Sequence, residues 1–178
     1  MPGTVPTTVR RYAPGDADAV RALAYRLTVG VAPWRDQAAV AVAVTGWVAD
    51  AIAGTEPIWV AVRDGALVGF VHAAERRHFT GERDGYVGEL AVAADAGRTG
   101  VGRALMAAVH EWAAGRGLRR VTLETGAANA TARAFYAALG YVEEDVRLTL
   151  TLPSQVPPVH DEDGGDDTGE RPRPVHQP

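Results

Sequence analysis

The sequence predicts an α/β (α+β) domain, a mixed, mostly antiparallel sheet flanked by helices, with an unstructured tail after it. Its 178 residues are enough for one sizeable core and too few for two comfortable ones. In the first half, strand-like stretches follow one another with no helix between them, which argues for an antiparallel meander. In the second half, strands alternate with helices across a glycine-rich loop.

Val9 to Tyr12 reads as a short strand closed by Pro14-Gly15, and Asp16 is placed to cap a helix running to about Leu27. A second helix is expected from about Asp36 to Ala53, after Pro33 and before Gly54 and Pro57. Ile58 to Val62 is apolar enough for a strand, Asp64-Gly65 is a two-residue hairpin signal, and Ala66 to Ala74 returns as the partner. Tyr86 to Val92 follows as another strand after the turn region from Gly81 to Gly85. The loop Asp95 to Thr99 then leads into a helix from about Gly102 to Ala114, which stops at Gly115 and Gly117. A strand at Val121 to Thr125, a helix at Ala130 to Leu139 and a last strand at Tyr141 to Leu152 complete a domain of residues 1–152. Residues 153–178 hold six prolines and the acidic stretch from Asp161 to Asp167, so a disordered, Pro-rich acidic tail is expected there.

Composition narrows the function. There is no cysteine, which excludes a disulfide framework, a thiolate metal site and a Cys nucleophile. Residues 1–152 carry 16 acids and 16 arginines, so the net charge of −4 lies in the tail. A neutral domain has no electrostatic footprint for nucleic acid. The longest apolar stretch, Ala38 to Val44, is too short for a bilayer, and the first ten residues lack an apolar signal segment. The expectation is a cytoplasmic protein with no membrane partner. His72 and His78 show no metal-ligand spacing and read as surface or packing residues, so no metal is expected. Trp34, Trp47 and Trp59 are expected to pack in the core rather than line a binding site.

Two segments carry chemistry. Gly97-Arg98-Thr99-Gly100-Val101-Gly102-Arg103 joins a strand to a helix; its glycines permit a tight turn, and the helix start presents N–H groups and partial positive charge to an anion such as pyrophosphate. A dinucleotide site would want a third glycine where Leu105 stands, and hairpins precede the loop instead of βαβ units, so a nucleotide-dependent oxidoreductase is poorly supported. The second segment runs from Asn129 through Phe135-Tyr136 to Leu139-Gly140-Tyr141, with apolar residues on one helical face and a glycine to end it.

Together these segments resemble the GNAT superfamily of N-acetyltransferases, in the loop and in the pattern Asn-x-x-Ala-x-x-Phe-Tyr-x-x-Leu-Gly-aromatic, matched at every position from Asn129 to Tyr141. The resemblance covers the domain and implies the GNAT fold, with splayed central strands. One departure exists: Gly97 stands where the family's loop usually begins with Gln or Arg. The resemblance implies that acetyl-CoA is the cosubstrate and a small-molecule or peptide primary amine the acceptor, attacked directly in a ternary complex. It implies that the backbone of Leu90, Ala91 and Val92 hydrogen-bonds pantetheine, and that N–H groups of Arg98, Thr99, Gly100, Val101, Gly102 and Arg103 hold the pyrophosphate. Asn129 and Phe135 would flank the pantetheine arm, and Tyr136 would sit near the sulfur as general acid, a role its protonation at neutral pH permits. Glu89 is the candidate base, or else an acceptor-orienting or structural residue; strand alternation places it opposite Tyr86, Gly88 and Leu90. A non-catalytic acyl-CoA-binding regulatory domain is the alternative. The acceptor and the oligomeric state stay open, a homodimer paired through the final strands being one option.

Overall fold

A computed structural model describes residues 6–152. The chain divides into two units, Met1–Val142 and Glu143–Pro178. The first holds every described strand and helix: β1 (Thr8–Arg11), α1 (Ala17–Ala22), α2 (Gln37–Ala53), β2 (Ile58–Arg63), β3 (Ala66–Arg77), β4 (Arg83–Val92), α3 (Val101–Gly115), β5 (Val121–Leu123) and α4 (Ala130–Ala137). The expected disordered tail lies outside the described residues.

The sheet has the order β1-β2-β3-β4-β5, antiparallel except for the parallel pair β4–β5. Asp64 and Gly65 both take positive φ, 51° and 76°, as a tight two-residue hairpin demands, and Arg63 pairs with Ala66 across it. One face of the sheet packs Trp59, Val71, Ala73 and Val87 against Leu105, Met106 and Val109 of α3. The other packs Ile58, Val60, Phe70 and Ala91 against Val20 of α1 and Val48 and Ala51 of α2. Each fully buried aliphatic side chain of these layers stabilises the fold by about 1.5–3 kcal/mol.

Two helices show what local chemistry decides. Asp36 caps α2, its Oδ1 accepting from the N–H groups of Ala38 at 2.8 Å and Ala39 at 3.2 Å. Asp16 does not cap α1 in this way: its carboxylate binds both guanidinium nitrogens of Arg10 at 2.7 and 2.8 Å and the Ala13 N–H at 2.8 Å. The arginine holds that carboxyl below the usual carboxylate range. The helix α1 starts without a side-chain cap; it ends at Ala22 and the chain continues as a 3-10 turn over Ala24–Thr28, instead of one helix to Leu27.

The expected last strand does not form: residues 142–152 carry neither helix nor strand. Val146, Leu148, Leu150 and Leu152 alternate as a strand would and are all exposed. Alternation supplies a face, whereas a strand also needs a neighbour to take its N–H and C=O groups. Among the described residues, no helix is long and apolar enough to cross a membrane, and no cluster of three or more His, Asp or Glu is placed to hold a metal.

Candidate active site

The site begins where β4 leaves β5. The two strands pair only at Gly85–Val121, Tyr86–Thr122 and Val87–Leu123, while β4 runs on to Val92 along β3 alone. The backbone of Leu90, Ala91 and Val92 thus has a ladder on one side and no strand of this sheet on the other. The Val92 carbonyl accepts from Arg26 Nε at 3.0 Å.

The chain then makes a 3-10 turn, Ala94–Ala96, and enters α3. Arg98 and Gly100 both take the left-handed conformation, φ 59° and 88°, which is easy for the glycine and uncommon for the arginine. The first α3 hydrogen bond runs from Ala104 N–H to Gly100 O. The N–H groups of Val101, Gly102 and Arg103 therefore lead the helix with no turn before them to accept their bonds. No side chain caps this end. Thr99 is fixed by a bond to Ala96 O at 2.7 Å and by Arg63 Nη2 at 2.9 Å, so Arg63 joins Arg98 and Arg103 in the loop's neighbourhood. Arg26 and Arg63, both absent from the sequence reading, lie 66 and 36 positions from their partners, and no local pattern links them.

Asn129 caps α4 by accepting from the Ala132 N–H at 3.1 Å and donates through Nδ2 to Val29 O at 3.2 Å. The motif asparagine thus ties α4 to the loop after the first helical segment. Phe135 lies against Gly102, where a Cβ would come within 3.2 Å of its ring, so the glycine lets α3 and α4 meet closely. Tyr136 packs beside Phe135 and Tyr141, with ring centroids 5.1 and 5.7 Å away. Burial pushes the Tyr136 phenol up to about 12 and that of Tyr141, which hydrogen-bonds His110 at 2.9 Å, to about 12 as well. Leu90, Val92, Phe135 and Tyr136 all border the core layer under α3, so those four expected residues are brought together.

Glu89 is on the other face. The β3–β4 ladder shifts register, pairing His72 with Glu89 but Ala73 with Val87 and Ala74 with Tyr86, which leaves Gly88 as the extra residue of a bulge. The bulge breaks the alternation expected from sequence: Glu89 shares the face of Tyr86 and stays opposite Leu90. Glu89 Oε2 lies 2.6 Å from His72 Nδ1, and both side chains are mostly buried. A Cβ at position 88 would come within 2.9 Å of that nitrogen, so Gly88 makes the room for the imidazole. His72 is therefore no surface histidine, whereas His78 is partly exposed and bonds Thr80 at 2.8 Å.

His72 and Glu89 line a cavity of about 270 Å³ together with Trp47, Asp50 and Ala51 of α2 and Glu56 beyond it. Trp59 packs in the core as expected, but Trp47 and Trp34 are half or more exposed. The exposure of Trp47 reflects α2, whose apolar residues surround the axis, so that only the Val44, Val48 and Ala51 side is buried.

The model of the acetyltransferase (GNAT) family matches residues 21–141. No curated protein matches the chain in sequence. Among solved structures, the aminoglycoside N-acetyltransferase AAC(6')-Iy in complex with a bisubstrate analog is similar over 84% of this chain and 99% of its own, at a TM-score of 0.64 and 19% identity. An aminoglycoside acetyltransferase from an uncultured soil metagenomic sample shares 21% identity over 83% and 99%, at 0.60. A putative acetyl transferase from Pyrococcus furiosus shares 16% identity over 83% and 100%, at 0.68. At these identities the likeness is one of fold.

Proposed function

Because the chain belongs to the acetyltransferase (GNAT) family, we propose that it moves the acetyl group of acetyl-CoA to a primary amine by direct attack in a ternary complex. The observation that carries this reading is the open side of β4 at Leu90–Val92, next to the uncapped start of α3. Pantetheine has amide groups spaced along a chain and can bond such an edge as a neighbouring strand does. The pyrophosphate suits the N–H groups from Arg98 to Arg103, where the helix dipole and the arginines favour negative charge. Phe135 and Asn129 flank this path, and Tyr136 supplies a hydroxyl that stays protonated at neutral pH, so it can hand a proton to the departing thiolate.

The acceptor enters from the Glu89 side. The cavity there offers Asp50, Glu56 and Glu89 to an ammonium group and the exposed Trp47 ring to its carbon frame or its charge. Two of the similar structures are aminoglycoside acetyltransferases by name, which fits a cationic small-molecule acceptor.

CoA titrated into the purified protein tests the reading. At a hundredfold excess over Kd, binding stabilises the fold by about 2.7 kcal/mol, seen as a clear rise in Tm. A panel of di- and polyamines with acetyl-CoA is expected to release free thiol. No rise in Tm with CoA, together with no thiol from any amine, overturns the proposal.

A further inference from the structure

We infer that His72, held by Glu89, is the group that takes the proton from the acceptor ammonium, and that Glu89 serves as its positioning residue. The inference rests on the acetyl-transfer reading above and gives its acceptor side a mechanism.

The geometry is that of a carboxylate orienting an imidazole. Glu89 Oε2 is 2.6 Å from Nδ1, a distance expected for a charge-assisted bond. A carboxylate only accepts, so Nδ1 carries the hydrogen. In the neutral ring the other nitrogen, Nε2, is then left as the acceptor. Nε2 has no hydrogen-bond partner among the described residues, and it is not among the buried polar atoms left without one. The ring lines the cavity, so a molecule there can meet that nitrogen. The carboxylate oxygen nearest the ring is already engaged, which makes Glu89 the poorer proton acceptor of the two.

The strand is built to hold this pair. His72 and Glu89 are cross-strand partners, and the bulge at Gly88 turns Glu89 onto the His72 face. Gly88 itself leaves the space that the ring fills. The charged and titratable groups around the pair include Asp50 from α2, Glu56 from the segment after it, and Tyr86 on the same face of β4, which in turn has Arg76 of β3 over its ring at 3.4 Å and feels Glu124. No arginine lines the cavity.

The step balances as follows. The ammonium of the acceptor gives a proton to Nε2, and the freed nitrogen pair attacks the thioester carbonyl carbon. The new C–N bond forms, the C–S bond breaks with its electron pair on sulfur, and Tyr136 protonates that sulfur. The second proton leaving the nitrogen restores the tyrosine through solvent, and His72 returns its own to solvent. The sum is amide, CoA thiol and one proton.

Two measurements decide it. Long-range ¹H–¹⁵N spectra of the ring, which need no substrate, are expected to show His72 protonated on Nδ1 and bare on Nε2. In thiol-release assays with the amine panel, His72→Ala is expected to lower kcat by about 10²–10⁴-fold, the usual size of a proton-transfer contribution, with CoA affinity within about twofold of wild type. Added imidazole is expected to recover part of that rate, and substituted imidazoles to do so in order of basicity. A hydrogen found on Nε2, kcat of His72→Ala within threefold of wild type, or a loss that imidazole does not recover with an unchanged pH profile each overturns the assignment while transfer itself stands. Wild-type protein that binds no CoA and releases no thiol overturns the transfer reading and this role with it.

Discussion

At the scale of residues, Tyr136 and His72 occupy opposite sides of β4, one beneath α3 and α4, the other toward α2. Desolvation keeps Tyr136 protonated at neutral pH, and on the proposed reading a thiolate formed beside it would be costly to leave uncompensated. Tyr136→Phe keeps the ring and its packing; it is expected to lower kcat by at least about a hundredfold while KM for acetyl-CoA changes little. Steady-state kinetics checks this, and an unchanged kcat removes the acid role. The places of Asn129 and Tyr136 on α4 were legible in the sequence because they belong to one local motif. The contact of His72 with Glu89 was not, since it spans 17 positions and depends on a register that one bulged residue determines.

At the scale of elements, capping chemistry separates what reads well from what does not. The Asp36 cap of α2 satisfies two first-turn N–H groups, and nothing competes for its carboxylate among the hydrogen bonds it makes. Asp36→Ala is expected to cost about 1 kcal/mol, a fall in Tm of roughly 2–4 °C by calorimetry for a chain of this size. No change in Tm would show that the cap is replaced by water at no cost. The hairpin at Asp64-Gly65, α3 and α4 all formed where turn residues and periodicity placed them, within two residues at most ends. The first helix starts uncapped, its would-be cap Asp16 paired with Arg10 six residues upstream, and it gives way to a 3-10 turn after Ala22. The stretch 142–152 shows the converse failure: a good period with no ladder to join.

At the scale of the whole molecule, the sheet order and the two helical layers followed from consecutive hairpins and one parallel return, which is why the fold class was readable. Its response to alkali follows from two phenols. Tyr136 and Tyr141 are held near 12 against about 10 in an unfolded chain. Above pH 10 the unfolded state loses these protons first and is favoured by doing so, so stability is whole below pH 10 and falls steadily toward pH 12. Urea midpoints measured from pH 8 to pH 11.5 are expected to decline over that window, and phenolate absorbance to show a late component reduced in Tyr136→Phe. The bulge at Gly88 reaches as far across the molecule as either phenol. Before it and after it, β4 is out of phase with itself. Were Gly88 paired in an unbroken ladder, Glu89 would turn into the oily layer with Val71 and Leu105, and Leu90 into the cavity beside Asp50. A single glycine looped out of the ladder keeps one strand greasy toward one helix and charged toward another.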